Sequence, residues 1–209
     1  MATAATINPT RKFFDSVAAT WDESVTVVPS KIDYIIEAAG ISEGDSVLDV
    51  GTGTGVMLPF LSLAVGDEGH VMGVDLSSGM LSQARRKFST LPNIELRLAD
   101  VETDTIPGEF DRIMMYCMLP HLNNPIDTLK WLIKVNLRPG GTLTIAHPQS
   151  RHQINGIHRH NDGSVHSDHL TPYEEFCQIL TAAGLTVDFA RDDDDYYIIR
   201  LTKVTGETI

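Results

Sequence analysis

Three carboxylates and a set of alternating glycines carry the chemistry this 209-residue sequence offers first. In Val47-Leu48-Asp49-Val50-Gly51-Thr52-Gly53-Thr54-Gly55 an apolar run holds an acid and then gives way to glycine at every second position. Glycines in that place let a strand turn sharply into a helix and let backbone approach a ligand with no Cβ in the way. A dinucleotide fingerprint needs G-x-G-x-x-G, but Gly55 comes one residue early and Val56 fills the third place. No Gly-Lys-Ser/Thr follows, which excludes a phosphate-cradling P-loop. Asp49 beside the turn suits a cation better than a pyrophosphate. A second acid, Asp75, ends the apolar run His70-Val71-Met72-Gly73-Val74-Asp75, 20 residues beyond Gly55. An acid there can accept hydrogen bonds from the two hydroxyls of an adenosine ribose, a device shared by several cofactors. A third, Asp100, closes Ile94-Glu95-Leu96-Arg97-Leu98-Ala99. Acids at three successive strand ends are hard to explain as accident.

The elements that position these acids follow from periodicity. Phe14, Val17, Ala18 and Trp21 fall on one helical face, after a frayed tail over residues 1–9. A second helix runs from about Ser30, its expected cap, to Gly40. Strand, crossover helix (Val56 to about Val65) and strand then alternate through 110–117 and 142–146. Asn124-Pro125 reads as a helix start, and Thr171-Pro172-Tyr173-Glu174 as a capping box with proline at the first helical position. Residues 185–190 and 196–202 are β-rich and joined by Arg191-Asp192-Asp193-Asp194-Asp195, which lacks calcium-loop spacing and reads as a solvated loop. The alternation predicts an α/β fold, a three-layer α/β/α sandwich on a mostly parallel sheet.

Composition sets the outer limits. The length fits a single domain spanning 1–209, with a helical cap at 10–40. A net charge of −12 argues against nucleic acid or an anionic membrane as partner. Cys117 and Cys177 show no pairing pattern, and free thiols in a reducing cytoplasm are the expectation. With no signal-like opening and no apolar run of membrane length, a cytoplasmic protein is expected. Its oligomeric state is not legible.

With these parts assembled, the sequence resembles the class I, Rossmann-like S-adenosylmethionine (AdoMet) methyltransferases of the small-molecule type (methyltransferase domain 11/25-like). The glycine turn resembles their motif I, Phe14-Asp15-Ser16-Val17-Ala18-Ala19-Thr20-Trp21-Asp22 their "F-D-x-x-A-x-x-W/Y-D" opening, and Arg138-Pro139-Gly140-Gly141 their turn before strand five. The resemblance covers residues 13–202. It implies a seven-stranded sheet in the order 3-2-1-4-5-7-6 with the last strand antiparallel, and AdoMet as cofactor. It implies that Asp49, Gly51, Thr52, Gly53 and Gly55 receive the amino-acid end. Asp75 with Leu76 would take the ribose, and Asp100 with the backbone of Val101 the adenine. The opening segment would lie over the cofactor and substrate mouth, unless Phe14 and Trp21 merely pack the helix onto the sheet. His121, in the loop after strand four, could line the site or pack against the adenosine. No N-P-P-Y motif is present, which counts against a base or glutamine acceptor. The implied function is methyl transfer to a small molecule; the alternative is a non-catalytic AdoMet-binding regulatory or interaction protein.

Residues 147–170 form a histidine-rich lid or insertion holding His147, His152, His158, His160, His166 and His169. His147 directly follows strand five and is expected at the carboxyl edge of the sheet. In Ile154-Asn155-Gly156-Ile157-His158, one helical turn could pack the isoleucines and aim Asn155 and His158 at the site. His147 and His158 are therefore the candidate catalytic residues. His147, His158 and Asp168 are the candidate ligands of a divalent transition metal, with His160, His166 and His169 as substitutes. A metal-free lid touching the acceptor and a plain surface loop remain open beside that reading.

Overall fold

The structure, a computed structural model, describes residues 8–158 and 169–204, with backbone alone at 157 and 158. Seven strands form one sheet: β1 (Ser46–Val50), β2 (His70–Asp75), β3 (Ile94–Leu98), β4 (Phe110–Tyr116), β5 (Leu137–His147), β6 (Thr186–Asp192) and β7 (Tyr197–Thr202). Their order is β3-β2-β1-β4-β5-β7-β6, as the resemblance implies. The first five strands pair in parallel, and β7 runs antiparallel to both β5 and β6.

Helices cover both faces, so the central strands are apolar on successive residues rather than alternate ones. Leu48 and Val50 point to one face with Ile113, Met115, Leu143 and Ile199; there α6 (Pro125–Val135) and α8 (Tyr173–Ala182) supply Leu129, Leu132, Phe176 and Leu180. Val47, Val71, Met114 and Ile198 point to the other. There α3 (Pro29–Ala39), α4 (Leu58–Val65) and α5 (Ser78–Phe88) supply Ile32, Ile35, Leu58, Leu61 and Ala84. Two further helices precede the sheet, α1 (Pro9–Val17) and α2 (Trp21–Ser24), and α7 (Arg151–His158) follows β5.

Several local expectations need correction. Phe14, Val17, Ala18 and Trp21 do not share one helix, because the chain turns at 18–20 between α1 and α2. Residues 8 and 9 are not frayed: the Asn8 side chain caps the Thr10 N–H, and Pro9 opens α1. Ser30 does not cap α3, which starts at Pro29 after Val28. Proline's fixed φ starts the turn, and its missing N–H leaves one fewer donor to satisfy. The box at Thr171 also fails to form: Pro172 is the cap residue without a side-chain bond, while the Thr171 carbonyl accepts from the Tyr197 hydroxyl. The crossover helix begins at Leu58, two residues later than its apolar pattern implies.

The aspartate run is more ordered than a solvated loop. Asp192 pairs with Arg151 at 3.1 Å, Asp193 with Arg191 at 2.6 Å, and Asp195 with Lys31 at 3.0 Å. Asp193 also accepts the N–H groups of Asp195 and Tyr196, which closes the turn between β6 and β7. Among the described residues, no helix is long and apolar enough to cross a membrane.

Candidate functional site

A cavity of about 540 Å³ opens at the carboxyl edge of the sheet, where β1, β2 and β4 end. Asp49, Gly51, Thr52, Gly53, Asp75, Leu76 and Val101 all line it, so the first two acids and the glycine turn do converge.

The three glycines of the turn have separate reasons to lack a Cβ. All have positive φ: 72° at Gly51, 56° at Gly53 and 91° at Gly55. A Cβ on Gly51 would lie 2.6 Å from the Met118 sulfur. One on Gly55 would lie 2.7 Å from the Phe88 ring and 2.8 Å from Leu58. Gly55, whose early place broke the dinucleotide spacing, thus lets α5 pack against the turn. Gly53 is different: nothing comes nearer than 3.9 Å to a Cβ built there, and the residue faces the cavity. Its missing Cβ keeps that part of the cavity open.

Asp49 is 1% exposed and accepts the Thr52 hydroxyl at 2.6 Å. Burial pushes its carboxyl up to about 7; the Thr52 hydrogen bond opposes this and the neighbouring Asp75 adds to it. A buried acid poised to ionise beside a cavity fits a cationic ligand group. Asp75 accepts the Gly53 N–H and the Ser77 N–H, both at 2.8 Å, so the turn and the start of α5 fix its orientation. Burial raises its carboxyl pKa as well, against those two bonds.

Asp100 is placed otherwise. It does not line the cavity; it accepts the Asn8 side-chain amide at 3.2 Å and the Glu102 N–H at 3.1 Å. Leu76, Met80, Ala99 and Val101 bound an apolar slot beside it. The glycine turn, two buried acids and that apolar slot thus share one cavity.

From the opening segment, Phe14 and Trp21 both line the cavity. They meet edge to face at 5.5 Å, and Phe14 meets His121 in the same manner at 5.2 Å. The two acids of the opening motif, passed over by the sequence reading, are its fasteners. Asp15 accepts the Ser77 hydroxyl at 2.7 Å and the Gly79 N–H at 2.9 Å. Asp22 accepts the buried Thr54 hydroxyl at 2.5 Å and Lys87 at 2.8 Å. Their spacing of seven residues is the sequence signal that could have found them.

Across the cavity stand Tyr116 and Cys117 from the end of β4, Lys31 from α3, and Pro148 and Gln153 from beyond β5. Cys117 holds φ at +53°, the one non-glycine residue with positive φ among those described, and burial pushes its thiol up to about 12. It is therefore a neutral wall atom rather than a nucleophile.

The histidine expectations fare unevenly. His147 ends β5 as expected, but it is 3% exposed, stands 6.1 Å from the Tyr197 ring and does not line the cavity. Asn155 does not aim at the site. Its side chain donates to the Leu170 carbonyl at 3.0 Å and accepts the Leu170 N–H at 2.8 Å, a reciprocal pair across the insertion. Ile154 packs into the core, as the periodicity implied. The side chain of His158 and all of His160, His166 and Asp168 lie outside the described residues, and His169 is exposed. Among the described residues no three of His, Cys, Asp and Glu cluster as a metal site requires. The metal set stays a reading of the sequence alone.

This sheet order, with a glycine turn and a buried acid at its carboxyl edge, is that of the class I, Rossmann-like methyltransferase fold. Residues 47–141 match the family model described as "Methyltransferase domain". It is 32% identical over 141 residues to the ubiquinone/menaquinone biosynthesis C-methyltransferase UbiE of Coxiella burnetii, covering 63% of this chain and 56% of that protein. It is 36% identical over 115 residues to an uncharacterized 37.1 kDa protein in a transposon of Streptomyces fradiae, covering 54% and 33%. The chain thus spans a third to just over half of these relatives' lengths. The fold is shared with a SAM-dependent methyltransferase from Aquifex aeolicus (TM-score 0.70, 24% identity, 95% of this chain and 100% of that one). It is also shared with a structure from Haloferax volcanii described as a complex between the Trm112 methyltransferase activator and a methyltransferase (TM-score 0.76, 20% identity, 96% and 100%).

Proposed function

We propose that the protein is an AdoMet-dependent methyltransferase acting on a small molecule. The observation that carries this reading is the convergence of Asp49, the open face of Gly53 and Asp75 on one cavity at the carboxyl edge of the sheet. AdoMet held there would supply an electrophilic sulfonium methyl for transfer to the acceptor, with S-adenosylhomocysteine as the leaving product.

The chain's own residues bind and orient. Asp49, ionised, receives the ammonium at the amino-acid end, with the Thr52 hydroxyl holding the carboxylate in place. Asp75 receives the ribose hydroxyls, its own orientation fixed by two backbone N–H donors. The slot of Leu76, Met80, Ala99 and Val101 takes the adenine, with Asp100 at its rim. Phe14 and Trp21 exclude water from above, so that positioning in a dry site supplies much of the acceleration. His121 lines the cavity where His147 does not, so position favours His121 as the histidine that faces the acceptor. The name of the UbiE relatives, a quinone-pathway C-methyltransferase, supports a small-molecule acceptor. No step in this mechanism uses the metal set His147, His158 and Asp168; metal analysis and turnover after chelation test that part.

Calorimetry with AdoMet against NAD tests the cofactor: binding of NAD and not AdoMet would overturn the reading. Release of radiolabelled product over a metabolite panel tests the chemistry. A silent panel with intact AdoMet binding would instead favour the non-catalytic binding protein.

A further inference from the structure

The glycine turn has spent its own donors. The Gly51 and Thr52 N–H groups both donate to the Val74 carbonyl, at 2.9 and 3.0 Å, and the Gly53 N–H donates to Asp75 at 2.8 Å. The Gly55 N–H donates to the Thr52 carbonyl at 2.8 Å. An anion-binding nest needs successive N–H groups turned outward, so this turn suits a cation rather than a carboxylate. A carboxylate on a molecule in the cavity must find its counter-charge elsewhere, because burying it unpaired is costly.

Lys31 supplies such a charge. It is the third residue of α3 and lines the cavity with a side chain 26% exposed. Its Nζ donates to the Pro148 carbonyl at 3.0 Å and to the Asp195 carbonyl at 3.2 Å, and stands 5.2 Å from the centre of the Tyr196 ring. An ammonium has three protons, so these two bonds fix its place and leave one N–H for a carboxylate. Asp195 Oδ1 stands 3.0 Å from Nζ as an ion pair. That aspartate is 63% exposed, where water screens the pair and exchange for another carboxylate costs little. The first turn of α3 holds no acid, so the positive end of the helix dipole adds to the lysine's charge. Gln149 and Gln153, from the same stretch as Pro148, add side-chain amides to the lining.

Building on the methyltransferase reading, we propose that Lys31 is a carboxylate-binding residue of this cavity. The carboxylate has two sources in that reading: the amino-acid end of AdoMet, whose ammonium Asp49 takes, or a methyl acceptor that is itself an acid. With either, the ligand carboxylate replaces Asp195 on Nζ while the two carbonyls keep the ammonium aimed.

The test uses the intact protein. Calorimetry first compares AdoMet with decarboxylated AdoMet, which differs in the carboxylate alone. A wild type that binds neither fails the cofactor reading, and this is seen before any variant is made. Phenylacetate and its neutral counterpart 2-phenylethanol are then titrated by ligand-observed NMR, with and without S-adenosylhomocysteine. Lys31→Met is expected to weaken a carboxylate ligand by about tenfold or more, with its carboxylate-free counterpart unchanged. Loss for AdoMet assigns the lysine to the cofactor, and loss for phenylacetate assigns it to the acceptor. Asp195→Ala separates binding from support of the cavity wall. It keeps its main-chain carbonyl on Nζ and frees the charge, so the same carboxylate should bind roughly two- to fivefold more tightly. The proposal is overturned if Lys31→Met leaves both carboxylates' affinities unchanged or weakens each together with its counterpart. It is also overturned if Asp195→Ala weakens them as Lys31→Met does.

Discussion

Asp22, on the four-residue helix α2, accepts the hydroxyl of Thr54 inside the glycine turn at 2.5 Å. One hydrogen bond therefore links the segment covering the site to the loop forming its floor, across 32 residues of sequence. Burial acts to raise the Asp22 carboxyl pKa, but the hydrogen bonds from Lys87 and Thr54 outweigh it and hold it below the usual carboxylate range.

Removing that link separates covering from folding. Asp22→Ala leaves the Thr54 hydroxyl buried without its acceptor, at a cost of about 1–3 kcal/mol shared between stability and cofactor binding. AdoMet affinity measured by calorimetry should fall roughly five- to twentyfold, while Tm shifts by only a few degrees. An unchanged affinity would remove the covering role from α2.

The glycine turn separates in a second way. Gly55→Ala sets a Cβ 2.7 Å from Phe88 at φ 91°, so packing and backbone both resist it. It should destabilise the ligand-free protein by about 2–4 kcal/mol. Gly53→Ala meets open space and incurs the positive-φ cost alone, about 1 kcal/mol. Its damage should appear instead as weaker AdoMet binding. Denaturant melts paired with calorimetry on both variants check the contrast, and it fails if Gly53→Ala unfolds as readily as Gly55→Ala.

Asp49 should make AdoMet binding depend on pH. Burial raises its carboxyl from the ordinary 3.8 to about 7, so in the ligand-free fold it is protonated through much of that window. The folded state then holds a proton that the unfolded chain has released, and Asp49's contribution to stability declines as pH rises from about 4 to 7. An ammonium ligand needs the ionised form, so AdoMet affinity should climb between pH 5 and 7 with proton release, then level off. Calorimetry in two buffers of different ionisation enthalpy reads the proton. Asp49→Asn should flatten both slopes and weaken binding throughout.

Asn155 closes the insertion by pairing with both backbone groups of Leu170. Asn155→Leu keeps the volume but strands a buried N–H and carbonyl, so thermal unfolding should show a loss of about 2–3 kcal/mol. Asn155→Asp, which can accept but not donate while ionised, should recover part of it. Equal melting of wild type and Asn155→Leu would refute the clamp.

The sheet was legible from the chain itself because its strands are buried on both faces. Continuous apolar runs such as Val47–Val50 and Ile113–Met115 are the signature of that burial. The turn between Asp49 and α4 was legible too, since its positive-φ backbone requires residues without a Cβ and therefore shows as glycine spacing. Strand order came from resemblance and agrees with the structure, although periodicity carries no information about which strands are neighbours. What only the tertiary structure decided are the partners of polar groups. Asn155 reads as site-facing on a helical wheel, yet it pairs with Leu170, fifteen residues on. His147 sits at the right strand end but turns into the core beside Tyr197. Asp15 and Asp22 gain their partners only where α5 and the glycine turn pack against the opening segment. A side chain's period fixes the face it occupies, while its hydrogen-bond partner is set by whatever distant segment packs there, which no local spacing records.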